Sequence, residues 1–204
     1  MGLKLKTPPE QEPISLQEAK AYLRVDASVD ENVILHLLKA SRQAIEAHIN
    51  RCLIEQTWLF ELNAGYASAI ADDHYIEANR SKGRGGIELP RSPFIKLTKA
   101  PTYFDGQHKS EIKNYRLDTV GPVARIHFGH AFLNSKGVIQ IEFQAGYGGS
   151  PESVPDTLKQ AILMLTAAAY ENRTGSANDN SAYPIFMNEA VIRLIAPYRV
   201  IRLG

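Results

Sequence analysis

The chain is poor in the residues that build several familiar kinds of protein. It holds a single cysteine, Cys52, in 204 residues. No internal disulfide is therefore available, which fits a reducing compartment or one where thiols do not matter. It has almost no charge of one sign to spare: 23 lysines and arginines stand against 22 acidic residues, a formal net charge of +1. Proteins that hold nucleic acid over their whole surface carry a clear basic excess, so only local contact with DNA is compatible with this balance. Long apolar runs are missing too. The richest stretch, Ala161 to Tyr170, is about half the ~20 residues that a membrane-spanning helix needs. The opening Met1-Gly-Leu-Lys-Leu-Lys-Thr-Pro-Pro lacks the apolar segment of a secretory signal, and no membrane partner is expected.

Catalytic patterns are equally scarce. There is no Gly-x-Ser-x-Gly elbow, and Gly83-Arg-Gly-Gly86 lacks the Gly-Lys-Ser/Thr ending of a phosphate loop and runs into strand-like residues, not a helix. Of six histidines, only His127 and His130 are close in sequence, with no cysteine or carboxylate beside them; a zinc site needs three or four ligands at workable spacing. Cys52 falls on the apolar stripe of a helix, where a thiol behaves as a small hydrophobe. No catalytic residue, metal or cofactor is expected.

What is there is 44% hydrophobic and 22% charged, enough for a domain with a sizeable core. Residues 1–13 are polar and contain Pro8, Pro9 and Pro13, which reads as a flexible N-terminal arm. Ser15-Leu-Gln-Glu18 is a capping box that opens a helix. A second start signal follows at Ser28-Val-Asp-Glu31. Beyond it Ile34, Leu37, Leu38, Ser41, Ile45, His48, Ile49 and Cys52 recur at helical spacing, with Lys39, Arg42, Gln43, Glu46 and Asn50 on the other side. The period then changes. Trp58, Phe60 and Leu62 alternate as in a strand, and 86–89, 95–98, 115–118, 125–128 and 138–143 are further candidates. Turn signals lie between them, and 65–86 reads as a long mobile loop. A helix restarts after Val154-Pro155 and is apolar nearly all round, so it should be central. After a linker over 174–182, a last helix runs from about Pro184 to Ile195 and is stopped by Pro197.

These elements predict an α+β fold with a mainly helical core of about four helices and a β-rich insertion between the second and third long helices. The expected layout is an arm over 1–13, one domain over 14–196 (helical over 14–55 and 154–196, β-rich over 56–150) and a tail over 197–204.

The tail is the unusual segment. Past Glu189 there is no acidic residue, while Arg193, Arg199 and Arg202 alternate with Tyr198, Val200, Ile201 and Leu203. Apolar side chains near a terminus need something to bury against. Either they fold back on their own domain, or they form a docking peptide for a partner, with Tyr and Arg as anchors. Arg80, Lys82 and Arg84 in the 65–86 loop are either solvated or a weak contact site for DNA or a neighbouring subunit.

Several segments together resemble the head–tail connector, or adaptor, family of tailed double-stranded DNA phages and gene-transfer agents. They are Ile14-Ser-Leu-Gln-Glu-Ala-Lys-Ala-Tyr-Leu-Arg-Val-Asp26, Ala44 through Trp58, Leu89-Pro-Arg-Ser-Pro-Phe94, Ala145-Gly-Tyr-Gly148, Val154 through Leu163 running into Tyr170-Glu-Asn-Arg173, and Leu194-Ile-Ala-Pro-Tyr-Arg199. Each motif is modest alone; their order over residues 14 to 203 is specific. The resemblance implies a subunit of a virion or gene-transfer-agent particle, made in the bacterial cytoplasm and placed at the head–tail junction. It implies a homo-oligomeric ring of twelve copies on the portal protein, with double-stranded DNA passing through the centre. The segment Tyr198 to Leu203 would dock on the portal, and another face would receive the tail-side connector or stopper protein. The rival reading is a nucleic-acid-binding module that uses the basic loop and the tail arginines.

Overall fold

The computed structural model describes residues 1–26, 30–65, 86–128, 136–172 and 187–200. The chain divides into two compact units, and neither is continuous in sequence. One takes residues 1–8 and 55–146, the other residues 9–54 and 147–204.

The first unit is built of strands. Its larger sheet has six: β1 (Gly2–Thr7), β2 (Gln56–Asn63), β4 (Phe94–Leu97), β5 (Thr102–Phe104), β6 (Lys109–Glu111) and β9 (Val138–Ala145). A smaller sheet orders β3 (Ile87–Glu88), β8 (Arg125–Phe128) and β7 (Tyr115–Asp118). All pairings among the described residues are antiparallel. The organiser is β9. Its sequence alternates strictly, so Ile139, Ile141, Phe143 and Ala145 are buried while Val138, Gln140, Glu142 and Gln144 lie on the other face. One edge of β9 pairs with the whole of β2, from Gln56 opposite Ala145 to Asn63 opposite Val138. The other edge is shared end to end: β4 takes Phe143 to Ala145, and β5 takes Val138 to Gln140. The Asp105-Gly106 turn signal closes the β5–β6 hairpin, where Asp105 Oδ1 accepts from the amides of Gln107 and His108 at 2.8 and 2.7 Å.

One glycine guards the start of β9. A Cβ at Gly137 would lie 2.5 Å from the Phe104 carbonyl oxygen and 2.7 Å from the Tyr103 ring, and Tyr103 Oη also donates to the Lys136 carbonyl. Backbone cannot yield as a side chain can. Gly137→Ala is therefore expected to push β5 off β9 at a cost of about 1–3 kcal/mol, read as a lowered urea midpoint; an unchanged midpoint would mean that the strand end relaxes freely.

The second unit is helical: α1 (Leu16–Leu23), α2 (Glu31–Ile49), α3 (Asp156–Glu171) and α4 (Glu189–Ile195), the last continued by a 3-10 turn over Ala196–Tyr198. Local chemistry sets the ends. Ser15 and Glu18 form the expected capping box, with Glu18 N donating to Ser15 Oγ at 3.2 Å and Ser15 N to Glu18 Oε2 at 2.8 Å. Both α1 and α2 stop on a residue in the left-handed conformation, Arg24 and Asn50. The stripe Ile34, Leu38, Ile45 and Ile49 of α2 packs with Leu158, Ala161, Ile162 and Leu165 of α3, and Val191 and Ile195 of α4 join the same core.

Two expectations are corrected here. The fold is not a mainly helical core carrying an insertion: among the described residues there are four helices and nine strands, and the strands form a unit with its own buried interior. Each strand is short and half-polar, so read singly it looks peripheral; burial comes only when the register stacks Phe60, Leu62, Ile139, Ile141 and Phe143 on one face. The start of the chain is not a free arm either. Gly2–Thr7 pairs with β2, Leu3 opposite Phe60 and Leu5 opposite Trp58. The Leu-Lys-Leu-Lys alternation satisfies the sheet's two faces despite the prolines that follow. Residues 66–85 and the whole 174–182 linker lie outside the described residues.

Candidate interaction surface

The apolar–basic tail was the leading site in the sequence, and its described part belongs to a polar network around the C-terminal end of α2. The root of that network is Arg42, which is 2% exposed. Its Nη1 donates to Glu46 Oε2 at 2.6 Å, and its Nε and Nη2 donate to the two carboxylate oxygens of Glu12 at 2.6 and 3.2 Å. Burial alone would loosen the Arg42 proton, but the hydrogen bonds and charges of Glu12 and Glu46 outweigh it and hold the pKa above its ordinary value. Glu46 reaches on with Oε1 to accept the Leu53 amide at 2.8 Å. The chain leaving α2 is thus held in place over residues 50–53.

That fixed turn receives the tail. Arg51 Nε donates to the Tyr198 carbonyl at 2.5 Å, and the Val200 amide donates to the Ile49 carbonyl at 3.0 Å. The Tyr198 side chain is half-buried against the helical core. Tyr147 joins the cluster: its amide donates to the Leu53 carbonyl, and burial raises its phenol pKa against the opposing pull of Arg51. Arg199, the residue between the two attached positions, is exposed. The chain at Tyr198 and Val200 is therefore held by the end of α2 and the turn after it. Ile201, Arg202 and Leu203 of the expected tail, and Arg80, Lys82 and Arg84 of the expected contact loop, lie outside the described residues.

Sequence reasoning missed the partners of the tail. Arg42 and Glu46 were assigned to the solvent side of α2 because they are charged and lie off the apolar stripe; both are buried. The signal that would have placed them is Glu12, distant in sequence and inside a segment read as mobile. The other residues weighed for chemistry stay dispersed. Cys52 is buried. The His127 ring lies against Gly86, and burial followed by the charge of Arg116 lowers its pKa, which favours a neutral imidazole; His130 lies outside the described residues. Among the described residues, no group of three His, Cys, Asp or Glu is gathered closely enough to hold a metal ion, and no helix is long and apolar enough to cross a membrane.

No protein-family profile matches this chain, and no curated protein matches it in sequence. Its fold, however, is similar to that of chains in solved particles. It is similar to a chain in the neck of an empty GTA particle computed with C6 symmetry and to a chain in the virion of a native gene transfer agent (GTA) particle. Both have a TM-score of 0.73 and 24% sequence identity, over 100% of this chain and 98% of that one. A chain in the neck of a native GTA particle computed with C12 symmetry matches over the same spans, with a TM-score of 0.67 and 22% identity. The likeness covers the whole chain, so both units fall within it.

Proposed function

We propose that this chain is a structural subunit of the neck of a phage-like or gene-transfer-agent particle, an adaptor that forms a ring on the portal, joins it to tail-side components and lets double-stranded DNA pass through. It works by assembly, without catalysis. The observation that carries this reading is the full-length likeness in fold to chains of gene-transfer-agent neck and virion particles. A neighbour computed with C12 symmetry supports a ring of repeated copies, in which each subunit meets the next through a head-to-tail interface that closes on itself.

The docking element is the segment Tyr198 to Leu203. The clasp from Arg51 and Ile49 supports this role, because a peptide whose root is fixed loses less conformational freedom when its end is captured. Deleting residues 197–204 is expected to leave the helical signal intact in circular dichroism while abolishing recruitment to portal-bearing heads, measured by co-sedimentation with purified heads. Heads that still recruit a folded, truncated chain would sink the docking role. Electron microscopy of the assembled particle, with the subunit located by its rotational symmetry, tests the ring.

A further inference from the structure

The polar face of the larger sheet has its own charge pattern, apart from the tail. Five lysines share it. Lys4 and Lys6 come from β1, Lys96 from β4, Lys99 from just beyond β4, and Lys109 from β6. Register and contacts fix their side: Lys4 lies opposite Leu59 and Lys96 opposite Gln144, on the face away from Phe143, the ammoniums of Lys99 and Lys109 reach Glu142 and Gln140 of the same face, and Lys6, at an irregularity of β1, acts by its charge on Glu142. No arginine is among them.

The acids on this face are largely engaged within the sheet. Lys4 Nζ meets Glu61 Oε2 at 2.9 Å, Gln140 Nε2 donates to Glu61 Oε1 at 2.7 Å, and Lys109 Nζ donates to Gln140 Oε1 at 2.7 Å, a ladder running from β1 to β6. Glu142 is held by Lys99 Nζ at 2.7 Å and Thr98 Oγ1 at 3.0 Å. Both carboxyls sit below the usual carboxylate range. For Glu61 the hydrogen bonds from Lys4 and Gln140 are responsible; for Glu142 it is the Lys99 hydrogen bond, then Thr98, with the charges of Lys99 and Lys6 adding. Counting the exposed Glu111 as the third acid, the face keeps a surplus of two positive charges on a chain whose total is +1. Lys6 and Lys96 make no ion pair among the described residues, and both are exposed.

The lysines form two borders. β1 and β4 are three strand steps apart through β2 and β9, which at the usual strand spacing is about 14 Å. Between them lies a floor of Thr57, Leu59 and Glu61 from β2 and Gln140, Glu142 and Gln144 from β9, its two acids engaged by lysines. That separation is comparable with the ~12 Å major groove of duplex DNA and the phosphate rows that border it. We infer that this sheet face is a contact surface for the phosphate backbone of duplex DNA. It holds the duplex weakly and without sequence preference. Lysine is a hydrated point charge and does not clamp phosphate bidentately as arginine does, so each contact breaks easily, and copies arranged around one duplex share the load while it slides.

The sliding role rests on the ring reading proposed above, whereas the DNA contact itself does not depend on the tail, so the two can fail separately. The test uses the full chain and a labelled random-sequence duplex, with fluorescence anisotropy across a salt series. Binding is expected at low salt, falling linearly with salt on a log–log plot. Lys6→Ala/Lys96→Ala, which removes neither ladder nor ion pair, is expected to reduce that slope by about 2, while Lys39→Ala on α2 leaves it unchanged. No binding at the lowest salt overturns the inference. So does an unchanged slope in the folded double variant, which would place DNA elsewhere on the chain, such as the 80–86 loop and the tail arginines.

Discussion

Replacing Arg42 with methionine is expected to cost the helical unit about 3–5 kcal/mol, a large share of the 5–15 kcal/mol that holds a typical domain together. The loss does not come from the attraction of an ion pair as such. It comes from what is left behind: Glu46, 5% exposed, would lose the guanidinium that its carboxylate meets in a buried site, and Glu12 would lose its attachment. The expected signature is a marked fall in the urea midpoint for loss of helical signal. Adding Glu46→Gln should restore part of it, because the amide oxygen can still accept from Leu53 N while the stranded charge is gone. A midpoint unaltered by Arg42→Met would mean that water reaches Glu46 and that the network is not a closed one. The same variant should loosen the turn that carries Arg51, and so link the fold's stability to the path of the tail.

Phe143→Ala should have a comparable effect on the sheet unit, about 3–5 kcal/mol. Phe143 is fully buried at the middle of the sheet, opposite Trp58 on β2 and Leu97 on β4, and its ring lies 6.3 Å from that of Phe94. Removing it empties a space bordered by three paired strands, which limits how far the cavity can close. Phe143→Leu keeps most of the volume and should cost clearly less. Equal midpoints for the alanine and leucine variants would show that the ring's packing is not what holds β4 to β9.

Much of the helical half could be read from sequence because its signals are local. Ser15 and Glu18 are one turn apart, and the apolar period of α2 and α3 is repeated enough to be unmistakable. The alternation of Val138–Ala145 was equally clear. What could not be read was which strands β9 would gather. β5 and β6 are three residues each, too short for a period to show, and β1 was masked by the prolines beside it although Leu3 and Leu5 alternate with Lys4 and Lys6. The same limit applied to the candidate surface. Tyr198 and Arg199 were named from composition, but the fixture that holds them is assembled from Glu12, Arg42, Glu46 and Arg51, brought together only by tertiary packing. Their charges pointed to solvent, and pairing overrode that expectation. The basic border of the sheet is invisible for a related reason: its lysines come from three separate stretches of chain, brought to one face only by strand pairing.

The interleaving of the two units also bears on how the protein is made. The chain crosses between them after residues 8, 54 and 146. During synthesis β1 emerges first and waits for β2, and both wait for β9 to close the sheet. Meanwhile α2 leaves the ribosome with its apolar stripe bare, and its covering partner α3 begins only about a hundred residues later. Neither unit can finish folding early, so the nascent chain carries uncovered apolar surface for most of its translation. Such a chain completes its sheet unit only once residue 146 has been made and its helical unit only later, and its bare apolar stripe is open to misassociation until then.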